Sequence, residues 1–394
     1  MISNADVVVV GAGITGSSAA FQLAQRGLKV ALVEKRFLAA GSTGKSSAII
    51  RQHYSNEITA RMALYSLRVF QNFAEVVSGG EAGFVQTGFA ILVDDKDRAG
   101  LEENVAMQKR AGVNTRMISS EELKELDPGI AIADTTAVAF EPEGGYADPA
   151  FTTTSFAEAA RRAGAVIYQN TRVTDVEMTG GQVTGVVTTD GPISTRAVVN
   201  CANAWAPEIG RMVGVELPIQ ASRHQVATFQ RPRSHWPSHL TAADFINHIY
   251  LRPEGTSLTL VGSIEAAEAE QKIDPDHYNE SIDYEFIEGA AWHIRNRYPY
   301  MEQALSKGGW SGIYGVTPDW HPVIDEVPAG SGFFVAAGFS GHGFKLGPAV
   351  GLMVADMVTR ASTPSQGLDR GLFRYARFAE NQPVRGKYEY SIVG

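Results

Sequence analysis

Cysteine is almost missing from this chain: Cys201 is the single one in 394 residues. No internal disulfide can form, and no cysteine cluster can hold a metal. That usage fits a reducing compartment. Positive charge is scarce too, with 34 Lys and Arg against 43 Asp and Glu and a net charge of −9. Nucleic acid and anionic membranes both demand clustered positive charge, so neither is an expected partner. Long hydrophobic runs are absent, and none reaches the ~20 residues of a membrane helix. The polar residues 1–6 leave no room for a secretory leader before the first apolar run, so a cytoplasmic setting is expected. There is no internal repeat and no low-complexity tract.

What the chain has in excess is glycine, 40 residues, which predicts tight turns and close backbone approaches to a ligand. Its length fits two domains of ~100–200 residues each. Residues 6–10 form a continuous β-branched run ended by glycine, the pattern of a buried parallel strand. A helix is predicted from about 14 to 26, closed by Gly27, and a second buried strand over 28–33. Strand, glycine turn, helix and strand make one βαβ unit.

The same style returns later. A helix is predicted over 149–162, with Asp148 as its N-cap and Pro149 at its first position. Short strands are expected at 166–168, 197–200 and 332–336, and a last helix from about 343 to 359. Residues 81–145 and 216–325 read differently. They alternate polar and apolar residues, hold most prolines, and include runs such as 248–251 and 257–261 that fit antiparallel strands. The expectation is a nucleotide domain made of 1–80, 146–215 and 326–394, interleaved with a substrate domain made of 81–145 and 216–325.

The first turn, Gly11-Ala12-Gly13-Ile14-Thr15-Gly16, is a GxGxxG. Alone it is weak, but it follows a strand, opens a helix, and precedes Glu34 at the end of the next strand. Gly11 permits the tight turn, Gly13 lets backbone approach a pyrophosphate, and Gly16 lets the helix pack on the sheet. The N–H groups at Ile14 and Thr15 then face the phosphates. Glu34 would accept hydrogen bonds from ribose hydroxyls and would repel a 2′-phosphate, so FAD or NAD is favoured over NADP. Three look-alikes are set aside. Gly44-Lys45-Ser46 has Ala39 where a P-loop needs its first glycine. Gly338-Phe339-Ser340-Gly341-His342 lacks the closing glycine of a nucleophile elbow. His235 and His239 have metal-like spacing but no nearby acidic ligand, and surface histidines are expected.

Two further segments separate the cofactors. Gly41-Ser42-Thr43-Gly44-Lys45-Ser46-Ser47 is a loop of small residues after the ribose strand and leads to Arg51. Gly338 to Lys345, through Gly341, His342, Gly343 and Phe344, joins a strand to a helix. With Gly144 to Pro149 and Thr317-Pro318-Asp319, these segments resemble the D-amino-acid oxidase superfamily of flavoproteins, most of all its sarcosine oxidase branch. The similarity runs from Val7 to about Thr359 and is loosest in the middle of the substrate domain. It implies an α/β fold: a Rossmann-like FAD-binding domain (GR2-type) interleaved with an α+β substrate domain built on an antiparallel sheet.

The resemblance also implies a cofactor site. The loop from Gly41, with Ser42, Thr43, Ser46 and Ser47, would lie against the flavin, and Val173 would touch the adenine end, beyond Glu34 and Lys35. The helix after Gly343 would aim its N-terminus at the flavin, where a reduced ring carries negative charge. Relatives that attach FAD covalently use a cysteine or a histidine at positions held here by Gly312 and Lys45, so non-covalent FAD is expected. Cys201 reads as a buried structural residue.

Arg51 and Lys345 match the pair that holds a substrate carboxylate. A small amino acid offers a carboxylate as its strong handle, and fixing it orients the carbon to be oxidised. Tyr250 matches an aromatic residue of the sarcosine oxidase pocket. Tyr314 stands where primary amino acid oxidases tend to place an arginine, which turns the reading toward secondary amines. His53 and His342 lie nearby without an assigned role. The activity implied is oxidation at the C–N bond by hydride transfer to the flavin, followed by imine hydrolysis. Oxygen or another electron acceptor would reoxidise FAD. The lysine that promotes oxygen reaction in sarcosine oxidases has no clear match in 257–262, which leaves a dehydrogenase open. Two alternatives stand beside this: a D-amino acid or glycine oxidase or dehydrogenase, and a flavin-binding subunit of a hetero-oligomeric dehydrogenase, inactive alone; a homo- or a hetero-oligomer is left open.

Overall fold

A computed structural model describes residues 1–235, 239–265 and 271–386. Its first strand, Val7–Val10, is four consecutive valines, all buried. It pairs in parallel with Val30–Val33 on one side and Val198–Asn200 on the other. The full sheet runs Val323–Glu326, Phe333–Ala337, Val198–Asn200, Val7–Val10, Val30–Val33, Val166–Tyr168, and only the edge strand Val323–Glu326 is antiparallel. Such a sheet must be covered on both faces. Val7 and Val9 pack with the helices Ile14–Gln25, Pro149–Arg162 and Gly343–Val358. Val8 and Val10 pack on the other side against a three-stranded meander, Val173–Thr179, Gln182–Thr188 and Gly191–Ser194.

The helices lie unusually close. A Cβ added at Gly347 would stand 2.5 Å from Ile14, and one at Gly351 would stand 2.1 Å from the Ser18 hydroxyl. Two missing side chains, four residues apart on one helix face, thus let Gly343–Val358 press against Ile14–Gln25. Both helices begin at the same end of the sheet.

A second sheet has eight strands, in the order Leu305–Val316, Gln220–Gln230, Leu258–Ser263, Ile249–Glu254, Thr241–Asp244, Phe89–Val93, Ala137–Glu141, Arg116–Ile118. The expectation of an antiparallel sheet needs one correction: Thr241–Asp244 pairs in parallel with Phe89–Val93. These strands come from segments far apart in the chain, so no short hairpin dictates their direction. One face of the sheet packs against the helix Tyr284–Arg297. Arg297, fully buried, bonds Asp244 at 2.7 Å and ties that helix to the sheet. The other face carries the helix Asp95–Arg110 over one half and turns Phe89, Ala243, Tyr250 and Ile264 toward a cleft. A small sheet of Ile49–Ile50, Gly145–Tyr146 and Val85–Gln86 stitches the two regions together.

Local signals mark most of the first sheet. Asp148 caps the helix Pro149–Arg162 by accepting the Phe151 N–H at 2.8 Å. His239 is a correction. Expected on the surface, it is buried, with Nδ1 donating to the Leu240 carbonyl and Nε2 paired with the Thr259 hydroxyl. Burial brings its pKa down to about 3, so it is neutral. His235 stacks on Tyr300 at 3.9 Å, away from any shared ligand. No helix among the described residues is long and apolar enough to cross a membrane.

Candidate active site

The glycine turn sets one end of the cleft. Gly11 has φ +99°, a backbone shape that disfavours any side chain, and a Cβ there would strike the Cys201 carbonyl at 2.9 Å. At Gly13 a Cβ would meet the Thr43 hydroxyl at 2.9 Å. That hydroxyl accepts the Ile14 N–H at 3.1 Å, which fixes the small-residue loop against the helix N-terminus. Apart from Thr43 the helix has no side-chain cap, its N-cap residue being Gly13, and no acidic residue in its first turn. Its remaining N–H groups and its dipole are therefore available to an anion. Glu34 stands just after Val30–Val33. Its two oxygens accept the N–H groups of Ala12 and Arg36, both at 2.9 Å, so the carboxylate is held rigid at the cleft wall with lone pairs to spare.

The second helix N-terminus opens on the same cleft. Gly343–Val358 also has no side-chain cap and no acid in its first turn, and Gly343, Phe344 and Lys345 line the wall. Two uncapped helix ends facing one cavity suit a ligand that is negative in two places. A dinucleotide with a pyrophosphate and an electron-accepting ring is such a ligand. The donor set and the glycine cradle fit FAD: the turn from Gly13 would face the phosphates, although the Ile14 N–H is already taken by Thr43, Glu34 would hold a ribose, and the ring would lie between 41–47 and 341–345.

The cleft gathers most of the residues expected there. Gly11, Gly13, Ile14, Thr15, Glu34, Lys35, Gly41, Ser42, Thr43, Ser46, Ser47, Val173, Gly312, Gly341, His342, Gly343, Phe344, Arg51, Tyr250, Tyr314 and Lys345 line one continuous wall. Gly16 and Gly338 do not line it. A Cβ at Gly16 would overlap the Gly11 carbonyl at 1.8 Å, and one at Gly338 would strike Thr317 at 2.6 Å, so both serve close packing behind the wall. Cys201 is buried and at the same time contributes to the wall beside Gly11. Burial pushes its thiol pKa up, which keeps it protonated and inert.

At the far end stand two buried cations. Arg51 is 6% exposed and Lys345 8%. The Arg51 guanidinium donates to the His53 carbonyl and lies 4.5 Å from the centre of the Tyr54 ring. Lys345 makes no hydrogen bond or ion pair among the described residues. Burial, and then the nearby Arg51 charge, hold its pKa well below the usual lysine value. Burial brings His53 to about 3, helped by Arg51, so it is neutral. His342 packs against Tyr54, ring centres 5.5 Å apart.

Sequence reasoning missed several wall residues. Asn203 donates to the Ser42 hydroxyl at 3.1 Å and accepts the N–H of Gly338 at 3.2 Å, so it links the two loops expected around the flavin. Its position just beyond a parallel strand, where ligands collect at the carboxyl edge, was a usable signal. His224 had none. It stacks face to face on Tyr314 at 3.7 Å, and burial lowers its pKa to about 3. Their strands are 90 residues apart in sequence, and only the register Ser222 to Tyr314 brings them side by side. Trp205 and Asp276 close the nucleotide end: the indole N–H donates to Asp276 at 2.9 Å, and Lys35 pairs with the same carboxylate at 2.5 Å.

The fold and the cleft together define a dinucleotide-binding flavoprotein. The chain belongs to the DAO family, described as FAD dependent oxidoreductase, which it matches over residues 6–357. It is 30% identical over 374 residues to human mitochondrial sarcosine dehydrogenase, covering 90% of this chain but 40% of that protein, so it spans less than half the relative's length. It is 27% identical to glycine oxidase of Geobacillus kaustophilus, covering 91% of this chain and 94% of the relative. Among solved structures, the L-proline dehydrogenase from P. horikoshii is similar over 98% of this chain and 100% of its own, with TM-score 0.89 and 31% identity.

Proposed function

We propose that this chain oxidises a small amino acid at its C–N bond, with secondary amines, N-methyl or cyclic, as the preferred class. One observation carries the reading: the buried pair Arg51 and Lys345 at one end of the dinucleotide cleft, with no anionic partner for Lys345 among the described residues. Two buried basic groups call for an anion, which a substrate carboxylate supplies and whose charge would hold the Lys345 proton in place. Arg51 grips it with two parallel N–H groups, and Lys345 adds a point charge. The same two charges disfavour a protonated amine, so the bound substrate sheds its ammonium proton without a dedicated base. The neutral imidazoles of His53 and His224 add no positive charge. FAD, held without a covalent link, supplies the hydride-accepting chemistry, and the released imine hydrolyses in water. Phe89, Ala243, Ile264 and the Tyr250 ring give the pocket an apolar side, which suits the carbon body of an N-alkyl or cyclic amino acid. The names of the relatives above, sarcosine and proline dehydrogenase, support this substrate class.

For the acceptor, a carrier other than oxygen is the reading we favour. The cleft wall holds three lysines, Lys35, Lys45 and Lys345, and the first two are paired to Asp276 and Glu280. Opposite Tyr250 the neighbouring strand has Gly262. The experiment is anaerobic mixing of the FAD-loaded protein with sarcosine, N-methyl amino acids, L-proline, glycine and D-alanine. Secondary amino acids should bleach the flavin absorbance at least tenfold faster than glycine or D-alanine. Faster bleaching by the primary amino acids would reverse the preference, and no bleaching by any would refute the reading. Readmitting air, then a dye acceptor, distinguishes the two acceptors.

A further inference from the structure

The segment that presents Arg51 is pinned from behind by one carboxylate. Glu141 ends the strand Ala137–Glu141 and is 1% exposed. Its Oε2 accepts the backbone N–H of Gln52 at 2.8 Å and the side-chain amide of Gln52 at 3.3 Å. Its Oε1 has no hydrogen-bond partner among the described residues. Gln52 is fully buried, and neither residue lines the cleft. A buried carboxylate with one bare oxygen is costly, and a structure that needed only a tether for Gln52 could use an amide.

We propose that Glu141 is a positioning residue: it fixes Arg51 through the backbone at Gln52, and its ionisation tunes how strongly the Arg51–Lys345 pair draws an anionic substrate. This rests on the reading that the pair holds a carboxylate. The groups around Glu141 agree with it. From 51–54 it feels the Arg51 charge, and it acts in turn on the Tyr54 phenol, while His53 there is neutral. The adjoining strand Phe89–Val93 brings Phe89, which has no charge. On the next strand Arg116 turns outward to Glu122. Lys345 joins through its coupling to Arg51. Burial pushes the Glu141 carboxyl up to about 7, while Gln52 and Arg51 hold it from going higher. Ionised, it offsets positive charge at the pair. Protonated, it leaves that charge to the ligand. Anion affinity should therefore fall as pH rises through 7.

The probe is cyclopentanecarboxylate, a ring acid with no oxidisable C–N bond, titrated into FAD-loaded protein and followed by the flavin difference spectrum. In the wild type its Kd should rise about tenfold from pH 6 to pH 8, the effect of one charge at short range in a protein medium. E141Q keeps an oxygen for the Gln52 N–H but cannot ionise. It should bind at pH 8 as tightly as the wild type does at pH 6, with the step gone. E141A should bind more weakly than E141Q at both pH values, because both lack the charge and only E141A loses the pin. A step that persists unchanged in E141Q would assign it to Lys345 and overturn the proposal, as would E141A binding like E141Q. Wild-type protein that takes up the ring acid at neither pH would overturn the carboxylate reading itself.

Discussion

Lys345 sits in the wall with a guanidinium for a neighbour and no paired carboxylate among the described residues. Evolution tolerates such a group where a ligand completes it. Glycine is used just as pointedly. Gly351 faces Ser18 so closely that an added Cβ would stand 2.7 Å from the Ser18 backbone. Backbone cannot yield as a flexible side chain can, so Gly351→Val should force the two helices apart. The expected loss is about 3 kcal/mol of stability, read as a lower denaturation midpoint. Because both helix N-termini open on the cleft, the purified variant should also carry less FAD. Wild-type stability in this variant would show that the helices tolerate more separation than their contact implies.

At the scale of elements, the segment 271–283 behaves as a strap across the nucleotide end. Asp276 pairs with Lys35 at 2.5 Å and accepts the Trp205 indole N–H. Glu280 pairs with Lys45 at 2.5 Å, and Tyr278 lies under the same ammonium. Lys35, Lys45 and Trp205 all line the cleft. Partly exposed ion pairs contribute little each, and salt weakens them. Together they hold a closed rim. The double variant D276N/E280Q should release FAD about three to tenfold faster, measured by the return of flavin fluorescence on dilution. The wild-type rate should rise with salt and the variant's should not. Equal rates would show that the strap does not retain the cofactor. None of this was legible in the sequence, because 271–283 reads as a polar loop and its partners lie far away in the chain. The helix Pro149–Arg162 was legible to the residue, since its cap, its proline and its apolar face are all local.

At the scale of the molecule, five of the six strands of the first sheet followed from short apolar runs, while the antiparallel edge strand Val323–Glu326 fell mostly in the stretch read as substrate domain. The cofactor end of the cleft followed from the glycine turn and Glu34. The substrate end was legible only at Arg51, Tyr250, Tyr314 and Lys345. His224 in the wall and Glu141 behind it stayed hidden because strand register, which no local pattern specifies, sets their neighbours. Burial also shapes the pH response of the whole protein. His53, His224 and His239 are each held near 3, against 6.5 when unfolded. Between those values the unfolded chain binds more protons, so stability falls as pH drops below 6.5. Each histidine contributes about 1.4 kcal/mol per pH unit within that window. Glu141, raised to about 7, works the other way between 4.5 and 7 but counts once against three. The denaturant midpoint of the FAD-loaded protein should therefore fall steadily from pH 6.5 to pH 4.5. A flat profile would mean that these imidazoles are not held neutral.

The central claim is that Arg51 and Lys345 bind the substrate through its carboxylate. The most direct measurement compares the rate of anaerobic flavin reduction by L-proline and by pyrrolidine, which lacks the carboxylate, in wild type and in Arg51→Ala. The account predicts that removing the carboxylate or the guanidinium each costs about 100-fold or more in apparent second-order rate, in line with a lost charged hydrogen bond pair. It also predicts that removing both costs little beyond either alone, because both changes delete one interaction. Fully multiplicative losses would show that Arg51 and the carboxylate act independently, and the site would have to be read anew.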